Sequence, residues 1–588
     1  MQSSCKKHFS RIFIATLFLF SPFRILSQST FYIQDLGTKN LLQRKEILSG
    51  RVSDAIHFST LPLQRIKVIT FLDSAQSNRE LSENGTLKPM AWGGYYQGFD
   101  SRCFVTYTDD VEYLLSDNNE WVELLEDGYQ HNLKSFRPVL KYFYRDKATF
   151  YQHRDDDFMV KINPVFDFAI GKESASDQTL FTNTRGINVR GWIAKKVGYE
   201  FFLTENQARY PLYVRQRIDS FGAVPNEGYY KGFKVGGVDF FEAKGYFDFT
   251  AAKFITIQFG HGKNFLGNGI RSLALSDFSE NYLFLKLQTQ VWKFNYQNLF
   301  MDLTGDFLRG GDKLLPKKFA AIHHFSINAT KWLNAGVFET VVFHRNDGFE
   351  FQYLNPVIFY RSVEQLLGSP DNSMLGIDYR LIFFHHLEYY GQVALDDYNF
   401  QASKGKTGYW GNKYGIQQGI KYDNAFTVSN LDLQLEWNYV RPYTYTHDDS
   451  IANYSNYNQP LANPLGANFS EVIGMIHYQP IFPLTIETQV LLAVQGRDTS
   501  NSNWGGNIFI PTTENNVESI YGNQVAQGVK NHLVNFQLSV SYMIKHNLFA
   551  DVTYIYRKTT SDFSAFNSTS NIFQAGIRMN IDRKSFSF

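Results

Sequence analysis

From residue 136 onward, the chain alternates between apolar and polar positions over runs of about ten residues. In the run that begins at Val534, apolar side chains alternate with polar ones such as Asn535, and the runs after Leu431 and Phe573 repeat the pattern. Successive side chains of a β-strand point to opposite faces of its sheet. This period of two therefore predicts strands with one apolar and one polar face.

The length of the runs separates two architectures that both alternate. Soluble β-sandwiches use strands of about 5 or 6 residues, whereas a strand that crosses a bilayer at a tilt needs roughly 9 to 11. After residue 30, no apolar run reaches the roughly 18 residues that indicate a membrane-spanning helix. We therefore predict an all-β membrane protein, an antiparallel transmembrane β-barrel at residues 136–588.

Short and long connections alternate between the predicted strands, which is a second argument for a barrel. Tight turns are predicted near 545–547, 479–483, 423–427, 385–386, 329–332, 289–291 and 250–252. Long loops are predicted at 557–570, 496–529, 443–469, 399–413, 344–374, 304–317 and 261–280. Bacterial barrels have short periplasmic turns and long external loops, whereas a soluble sandwich has no reason to sort its loops by side. Counted from about Met159, the pattern predicts roughly 18 strands, within a range of about 16 to 20.

Residues 28–135 follow a different pattern, which indicates helices. Leu41, Leu42 and Ile47 have helical spacing, and a second helix is predicted to start at a cap formed by Thr108 and Asp109. We interpret this segment as a small helical periplasmic domain that packs under the barrel and plugs it. A poorly ordered leader is the alternative, but five apolar side chains require burial: Ile66, Val68, Ile69, Phe71 and Leu72. Residues 136–152 form either a hairpin of this plug or the first strands.

Residues 1–27 have the parts of a secretory signal peptide. Lys6, Lys7 and Arg11 precede an apolar run at 12–20, and the small residue Ser27 lies in the cleavage region. An N-terminal membrane anchor is the alternative, but such a run is well short of the roughly 20 residues that a spanning helix needs. We therefore expect export through a cleaved signal peptide and location in the outer membrane.

Composition agrees with a barrel and argues against nucleic acid as a partner. Aromatic residues form 17% of the 588 residues, with 54 Phe and 36 Tyr, and such side chains suit pleated sheets and membrane interfaces. The net charge is +1, without the basic stripe that a phosphate backbone requires. Mean hydropathy is negative, which we attribute to polar side chains that line a wide lumen.

Catalytic and metal-binding signatures are not found, so we predict no enzyme activity, no cofactor and no metal. The sequence contains no G-x-S-x-G elbow, no H-E-x-x-H and no P-loop. The adjacent pairs His323 with His324 and His385 with His386 cannot each converge on one ion if they lie in strands, because neighbours point to opposite faces. The acidic run at 155–157 is interpreted as a solvated turn rather than a calcium site. An outer-membrane hydrolase remains an alternative class, without residues to nominate.

The long loops are rich in aromatic and amide side chains, which suits binding to sugars. A flat ring covers the apolar C–H face of a sugar, while amides donate hydrogen bonds to its hydroxyls and accept hydrogen bonds from them. Ordinary turn composition is the other explanation, because Asn, Ser and Gly fill turns in any protein. We nominate as candidate ligand-binding residues Tyr409, Trp410, Tyr454, Tyr457, Asn458, Gln459, Asn503, Trp504, Asn507, Asn264 and Arg271.

Four segments carry a resemblance to a known family. They are GHGKNFLGNGIRSLALSDFSENYLFLKL from Gly260, YLNPVIFYRSVEQLLGSPDN from Tyr353, YNQPLANPLGANF from Tyr457 and NWGGNIF from Asn503. Together they resemble motifs of Wzi-type capsule-assembly outer-membrane proteins, in the branch that includes RemB-like gliding-motility proteins. The resemblance implies an 18-stranded barrel with an N-terminal helical plug. It also implies a role in holding polysaccharide at the cell surface or in supporting surface motility.

The predicted function is therefore a non-enzymatic barrel whose external loops bind or organise surface polysaccharide, in support of gliding motility or capsule assembly. Many weak ring and amide contacts along one glycan would tether it. The expected partners are outer-membrane lipid or lipopolysaccharide, surface polysaccharide, and other motility or envelope proteins. The alternative is a porin-like channel or transporter for small solutes.

Overall fold

The computed structural model describes residues 29–32, 36–77, 101–122, 139–305, 314–345, 348–357, 359–368, 370–404, 406–499 and 501–588. The predicted signal peptide at residues 1–27 lies outside the described residues. Residues 123–138, which contain the predicted boundary between plug and barrel, lie outside them too. The cleavage and the division of the chain into domains therefore stay predictions.

Eighteen long antiparallel strands of the described chain form a closed barrel, which confirms the predicted fold class. In chain order they are β1 (Phe158–Glu173), β2 (Ser176–Ile193), β3 (Val197–Arg209), β4 (Gly237–Ala252), β5 (Ile255–Gly262), β6 (Tyr282–Val291), β7 (Phe294–Thr304), β8 (Lys317–Asn328), β9 (Leu333–Phe343), β10 (Asn372–Phe383), β11 (Leu387–Asp397), β12 (Lys413–Tyr422), β13 (Leu431–Val440), β14 (Phe469–Ile481), β15 (Leu484–Arg497), β16 (Val529–Lys545), β17 (Leu548–Ser561) and β18 (Ser568–Met579). Two short strands, Tyr151–Arg154 and Lys231–Phe233, pair with this wall as well. The ring closes where β18 pairs with β1, from Ile572 opposite Glu173 to Met579 opposite Phe166. Closure pairs the two strands that would be exposed edges in an open sheet.

The wall of the barrel has an apolar outer face and a polar inner face. Outward-facing side chains such as Phe168, Val337 and Ile377 are exposed, whereas inward-facing ones such as Lys161 and Asp378 are buried. This distribution is the reverse of that in a soluble protein, and it is typical of a barrel surrounded by lipid. It also explains the negative mean hydropathy, because about half of each strand is polar.

The connections sort by the end of the barrel at which they lie. At one end, here named the short-turn end, each turn has eight residues or fewer, and 423–430 is the longest. The opposite, long-loop end carries the loops 210–236, 263–281, 305–316, 344–371, 398–412, 441–468 and 498–528. Two further connections at the long-loop end are short, namely 174–175 and 562–567. The predicted long loop at 557–570 is wrong, because β17 and β18 continue their pairing beyond the predicted ends of the strands.

Within the described N-terminal residues, four helices occupy the short-turn end of the lumen: α1 (Leu36–Ser49), α2 (Arg65–Ser77), α3 (Ser101–Asp117) and α4 (Asn119–Val122). We call these helices and their described connections the plug. Its apolar side chains form one core with the wall, which contains Leu42, Phe58, Val68, Ile69, Leu72, Leu114, Trp121, and Met159 and Trp192 of the wall. Among the described residues, no helix combines the length and apolar character needed to cross a membrane.

The predicted starting position of the second helix is wrong. Helix α3 begins at Ser101, so Thr108 and Asp109 lie inside the helix and not at its start. Thr and Asp are weak helix formers, but tertiary packing of the remaining residues can hold such residues inside a helix. The apolar residues predicted to need burial, by contrast, are confirmed for Val68, Ile69, Phe71 and Leu72.

Buried ion pairs join the plug to the wall. The carboxylate of Glu120 accepts from Lys161 Nζ at 3.0 Å and from Arg190 Nε at 2.8 Å. On another side of the lumen, Glu46 pairs with Arg380. Because a buried charge is costly without a partner, these pairs hold the plug in one position.

After β18, residues 580–588 turn back and run through the lumen; we call them the luminal segment. Arg583 pairs with Glu487, and Lys584 Nζ lies 2.7 Å from Glu227 Oε1. At the far end of the segment, Arg557 of β17 donates to the carbonyl of Phe588 at 2.6 Å. The segment therefore spans the lumen from the short-turn end toward the long-loop end.

The long-loop end of the lumen is also filled, by loops 263–281 and 441–468. Their apolar residues pack on inward-facing wall residues in a core that includes Leu266, Leu273, Leu275, Tyr445, Tyr454, Leu461 and Ile508. Loop 210–236, which carries α5 (Leu212–Phe221), packs on the luminal segment through Tyr213, whose hydroxyl donates to the carbonyl of Phe586 at 2.8 Å. The lumen is thus packed with protein at both ends.

Candidate functional site

Three loops at the long-loop end brace one another: 398–412, 441–468 and 498–528. Trp410 N donates to the carbonyl of Ile520 at 3.0 Å, and Gly522 N donates to that of Thr407 at 2.9 Å. Tyr443 N donates to the carbonyl of Gly505 at 3.0 Å. These backbone bonds link loops that are far apart in sequence, and so fix the side chains between them.

A cluster of rings lies where the loops meet. The ring of Tyr409 lies 5.6 Å from that of Tyr521 and 6.0 Å from that of Trp410. These three residues are partly exposed, and we call them the aromatic cluster. Beneath them, the buried ring of Tyr443 meets Trp410 edge-on at 6.0 Å. The cluster is therefore partly exposed on a braced base, with Lys406 Nζ over the ring of Tyr521 at 4.5 Å and Lys413 Nζ over that of Trp410 at 5.6 Å.

Two polar donors beside the rings lack a partner among the described residues: Trp410 Nε1 and Asn503 Nδ2. Asn503 is tied to the same base, because its carbonyl accepts from the hydroxyl of Tyr443 at 2.9 Å. Buried donors without a hydrogen bond are rare in proteins because each costs about 1 to 3 kcal/mol. Both atoms are shielded from the surface, so a ligand does not reach them in this conformation.

A carboxylate shapes the segment that carries Asn503, Trp504 and Asn507. Asp498 accepts from Asn507 N at 2.6 Å and from Gly506 N at 3.1 Å. Burial raises the pKa of Asp498 even though these hydrogen bonds favour its charged form. Trp504 is left partly exposed and Asn507 exposed, in the same loop as Tyr521 of the aromatic cluster.

The other nominated residues lie away from this surface. The hydroxyl of Tyr454 donates to the carbonyl of Ala274 at 2.6 Å, and Gln459 Oε1 accepts from Asn226 N at 2.9 Å. Of the remaining four, Tyr457 and Asn264 are buried. Asn458 donates to the carbonyl of Phe221, and Arg271 donates to Ser587. In this conformation these residues hold the inward-folded loops together.

Some members of the site were not nominated from the sequence. Tyr521, Tyr443 and Asp498 lie in or beside the predicted loops, and nothing in a loop sequence indicates which of its rings will meet. The only signal was the abundance of aromatic and amide residues in the loops that contain them.

His323 and His324 are placed as the strand periodicity requires, whereas His385 and His386 lie in the turn between β10 and β11. In β8, His323 bonds Glu339 at 2.8 Å on the outer face, while His324 bonds Asp378 at 2.7 Å on the inner face. Within the described residues, no group of three or more His, Cys, Asp or Glu side chains could hold a metal ion. The absence of catalysis stays a prediction.

An apolar outer wall, a lumen occupied by protein at both ends with a cavity of about 690 Å³ between them, and ring-bearing loops at one end define a class: a plugged transmembrane β-barrel. No family model matches the chain, and no curated protein matches its sequence. In fold, the chain is similar to Wzi of Escherichia coli, a carbohydrate-binding outer-membrane β-barrel involved in group 1 capsule assembly. The match has a TM-score of 0.53 and 14% identity, and covers 94% of this chain and 100% of Wzi.

Two further solved structures, OprD and OccK8 (OprE) of Pseudomonas aeruginosa, match over 71% of this chain. They are covered to 94% and 97%, with identities of 11% and 10% and TM-scores of 0.39 and 0.40. The similarity to Wzi agrees with the resemblance in the four sequence segments at the level of the fold.

Proposed function

We propose that this protein is an outer-membrane anchor that holds polysaccharide at the cell surface, with its long-loop end outward. The observation that carries the proposal is the contrast between the two parts of the molecule. The lumen is filled from both ends, whereas the aromatic cluster is presented outward on a braced base.

The filled lumen favours an anchor over a channel. The plug lies at one end of the lumen and the inward loops lie at the other, while the luminal segment runs along a cavity of about 690 Å³ between them. Buried ion pairs hold the plug and the luminal segment in place. In an anchor, the width of the barrel serves to display loops, because a barrel with a larger circumference carries more loops at the cell surface.

The aromatic cluster suits long glycans. Each ring can cover one sugar face, and the exposed amide of Asn507 in the same loop region can form hydrogen bonds with sugar hydroxyls. Each contact is weak, but a repeating chain can occupy many copies of the protein at once, and this raises the overall affinity. No covalent step is required.

Two likenesses support this function. Wzi, which shares the fold, is a carbohydrate-binding protein of capsule assembly. The sequence motifs resemble most closely the branch with RemB-like gliding-motility proteins. We therefore infer that polysaccharide retention serves gliding motility or capsule assembly, together with other envelope proteins.

A binding experiment tests the proposal directly. Purified protein is titrated with surface polysaccharide extracted from the same cells, and the double variant Tyr409→Ala, Trp410→Ala is compared with the parent. We expect at least about a tenfold loss of affinity, equivalent to about 1.4 kcal/mol, because two ring faces are removed. The matched control is Phe563→Ala, an exposed ring at the same end of the barrel but outside the cluster.

A deletion strain tests the cellular role. Polysaccharide retention and colony spreading are scored together, and the strain is complemented with the parent or with the double variant. Normal retention and spreading after deletion would overturn the role, and transport would become the leading hypothesis.

A further inference from the structure

Loop 344–371 does not extend away from the barrel, as an external loop was expected to do, but folds down over the outer face of the wall. It contains a 3-10 turn at Phe351–Leu354 and helix α6 (Tyr360–Leu366). We call its described residues 348–357 and 359–368 the strap. The strap packs on outward-facing positions of β6 to β9: Leu285, Leu287, Phe300, Phe319, Ala321, Val341 and Phe343.

Exposure values confirm that the strap covers a lipid-type surface. Ala321, Val341 and Phe343 are 0% exposed although their side chains point outward. Val337, on the same face of β9 but beyond the strap, is 52% exposed. The strap therefore occupies a position that the bilayer occupies elsewhere on the barrel.

Beneath the strap, the outer wall carries a polar patch. His323 and Glu339 lie directly opposite each other on β8 and β9, with Nδ1 and Oε1 2.8 Å apart. The strap completes the patch, since Tyr360 N donates to Glu339 Oε2 at 2.9 Å and its ring stacks on His323 at 3.9 Å. Polar groups on the lipid face of a barrel are costly in hydrocarbon.

The deepest part of the strap is also tied to the wall. The carbonyl of Pro356 accepts from the hydroxyl of Tyr296 at 2.6 Å and from Asn298 Nδ2 at 3.2 Å. Both donors belong to the outer face of β7, toward its short-turn half. The strap thus reaches well down the wall from the long-loop end.

The backbone of the strap is largely satisfied from within, which is the requirement for contact with lipid. Tyr353 N donates to the carbonyl of Glu350 at 3.1 Å, and Val357 N donates to Asn355 Oδ1 at 3.1 Å. In α6, Leu367 N donates to the carbonyl of Val363 at 3.0 Å. An irregular loop at this depth would otherwise leave donors facing hydrocarbon.

The outward side of the strap continues the apolar belt of the barrel. Phe351, Val357, Phe359 and Leu366 are exposed and supply its apolar surface, interrupted by the exposed side chains of Gln352, Asn355 and Gln365. The charge of Arg361 is directed to the rim, where its guanidinium donates to Ser373 at the start of β10 at 2.9 Å.

We propose that the strap is a lipid-contacting element that inserts into the hydrocarbon of the bilayer and seals the polar patch of His323 and Glu339 from it. Val357 and Phe359 meet acyl chains, and Tyr360 covers the imidazole. This inference rests on the proposed membrane location but not on polysaccharide binding.

Depth-dependent quenching tests the insertion. In a background with Cys5→Ser and Cys103→Ser, single cysteines at Val357, Phe359, Val337 or Phe563 are labelled with an environment-sensitive fluorophore. Each protein is reconstituted into phosphatidylcholine vesicles with or without doxyl-labelled lipid, and iodide serves as the aqueous quencher. We expect the labels at Val357 and Phe359 to behave like that at Val337, quenched by doxyl lipid and protected from iodide.

Other results would overturn the proposal. Quenching of the strap labels by iodide, as expected for Phe563, would place the strap in water. Protection from both quenchers would mean that protein rather than lipid covers it. If doxyl lipid did not quench the wall label at Val337, the barrel wall itself would not contact lipid and the membrane location would be wrong. This result differs from one in which Val337 is quenched and only the strap labels are not.

The sealing role has its own test. Replacing residues 348–368 by a short Gly-Ser linker should lower the Tm of the barrel, and adding His323→Leu and Glu339→Leu should restore part of the loss. In the protein with its strap, the same two substitutions should give no gain in Tm. Equal effects of the double substitution in both backgrounds would show that the strap does not shield the patch.

Discussion

At the scale of single residues, Glu120 shows how the plug is fixed. Burial alone would raise the pKa of its carboxyl, but the opposing charges of Arg190 and Lys161 outweigh burial and lower the pKa to about 2. Because the folded-state pKa lies below the ordinary value of 4.5, the stabilisation is present above about pH 4.5. It is lost as the pH falls toward about 2, when the carboxylate becomes protonated in the folded protein too.

The substitution Glu120→Gln should release the plug. It leaves two buried cations without their anion, which we expect to cost about 3 kcal/mol. Limited proteolysis of the plug in the reconstituted barrel measures the effect, and the parent should become equally sensitive only in acid. The control is Glu112→Gln, an exposed carboxylate of α3 that pairs with Lys147 at 3.0 Å, where we expect less than about 1 kcal/mol. Equal protection of parent and Glu120→Gln at neutral pH would contradict this account.

At the scale of elements, the strands followed from the sequence and the loops did not. Alternation is a local property of a strand, so β13, β16 and β18 were recognisable from their residues alone. The ends of β17 and β18 were missed because polar residues such as Thr559 and Ser568 still pair across the ladder at the rim. Such residues are equally common in loops, so pairing rather than composition decides where the strand ends.

A substitution at Gly505 tests whether the loop backbone supports the candidate site. The φ of this residue is +79°, and a Cβ there would lie against the backbone nitrogen and ring of Tyr443, which supports Trp410. We expect Gly505→Ala to displace Tyr443 and to weaken polysaccharide binding about tenfold, while the barrel still folds.

The control is Gly522→Ala in the same loop. Gly522 has a φ of +80° but open space around its Cβ position, so it carries the same backbone strain of about 1 to 2 kcal/mol without the clash. If both variants lost binding equally, backbone strain would be the cause and the support from Tyr443 would not matter.

At the scale of the whole molecule, the packed lumen predicts electrical behaviour. In a planar bilayer, the intact protein should show almost no ion conductance, because plug, luminal segment and loops block the path. Glu120→Gln at neutral pH, the parent in acid, or deletion of residues 29–135 should raise the conductance, whereas Glu112→Gln at neutral pH should not. Steady porin-like conductance of the intact protein would favour the transport hypothesis instead.

The sequence by itself determined the closed antiparallel barrel, its approximate strand number and the presence of helices ahead of it. Those features follow from periodicity and from the lengths of connections, which are properties of neighbouring residues. It also indicated ring-rich loops, but it could not separate Trp410, which lies at the surface, from Tyr454, which lies inside.

Only the tertiary structure decided where each loop goes. Loop 441–468 folds into the lumen, loop 344–371 folds over the outer wall, and loop 398–412 stays at the rim, although all three contain aromatic residues. The physical reason is that burial of a loop depends on partners distant in sequence, such as Ala274 for Tyr454 and His323 for Tyr360. Periodicity along one segment carries no information about such partners.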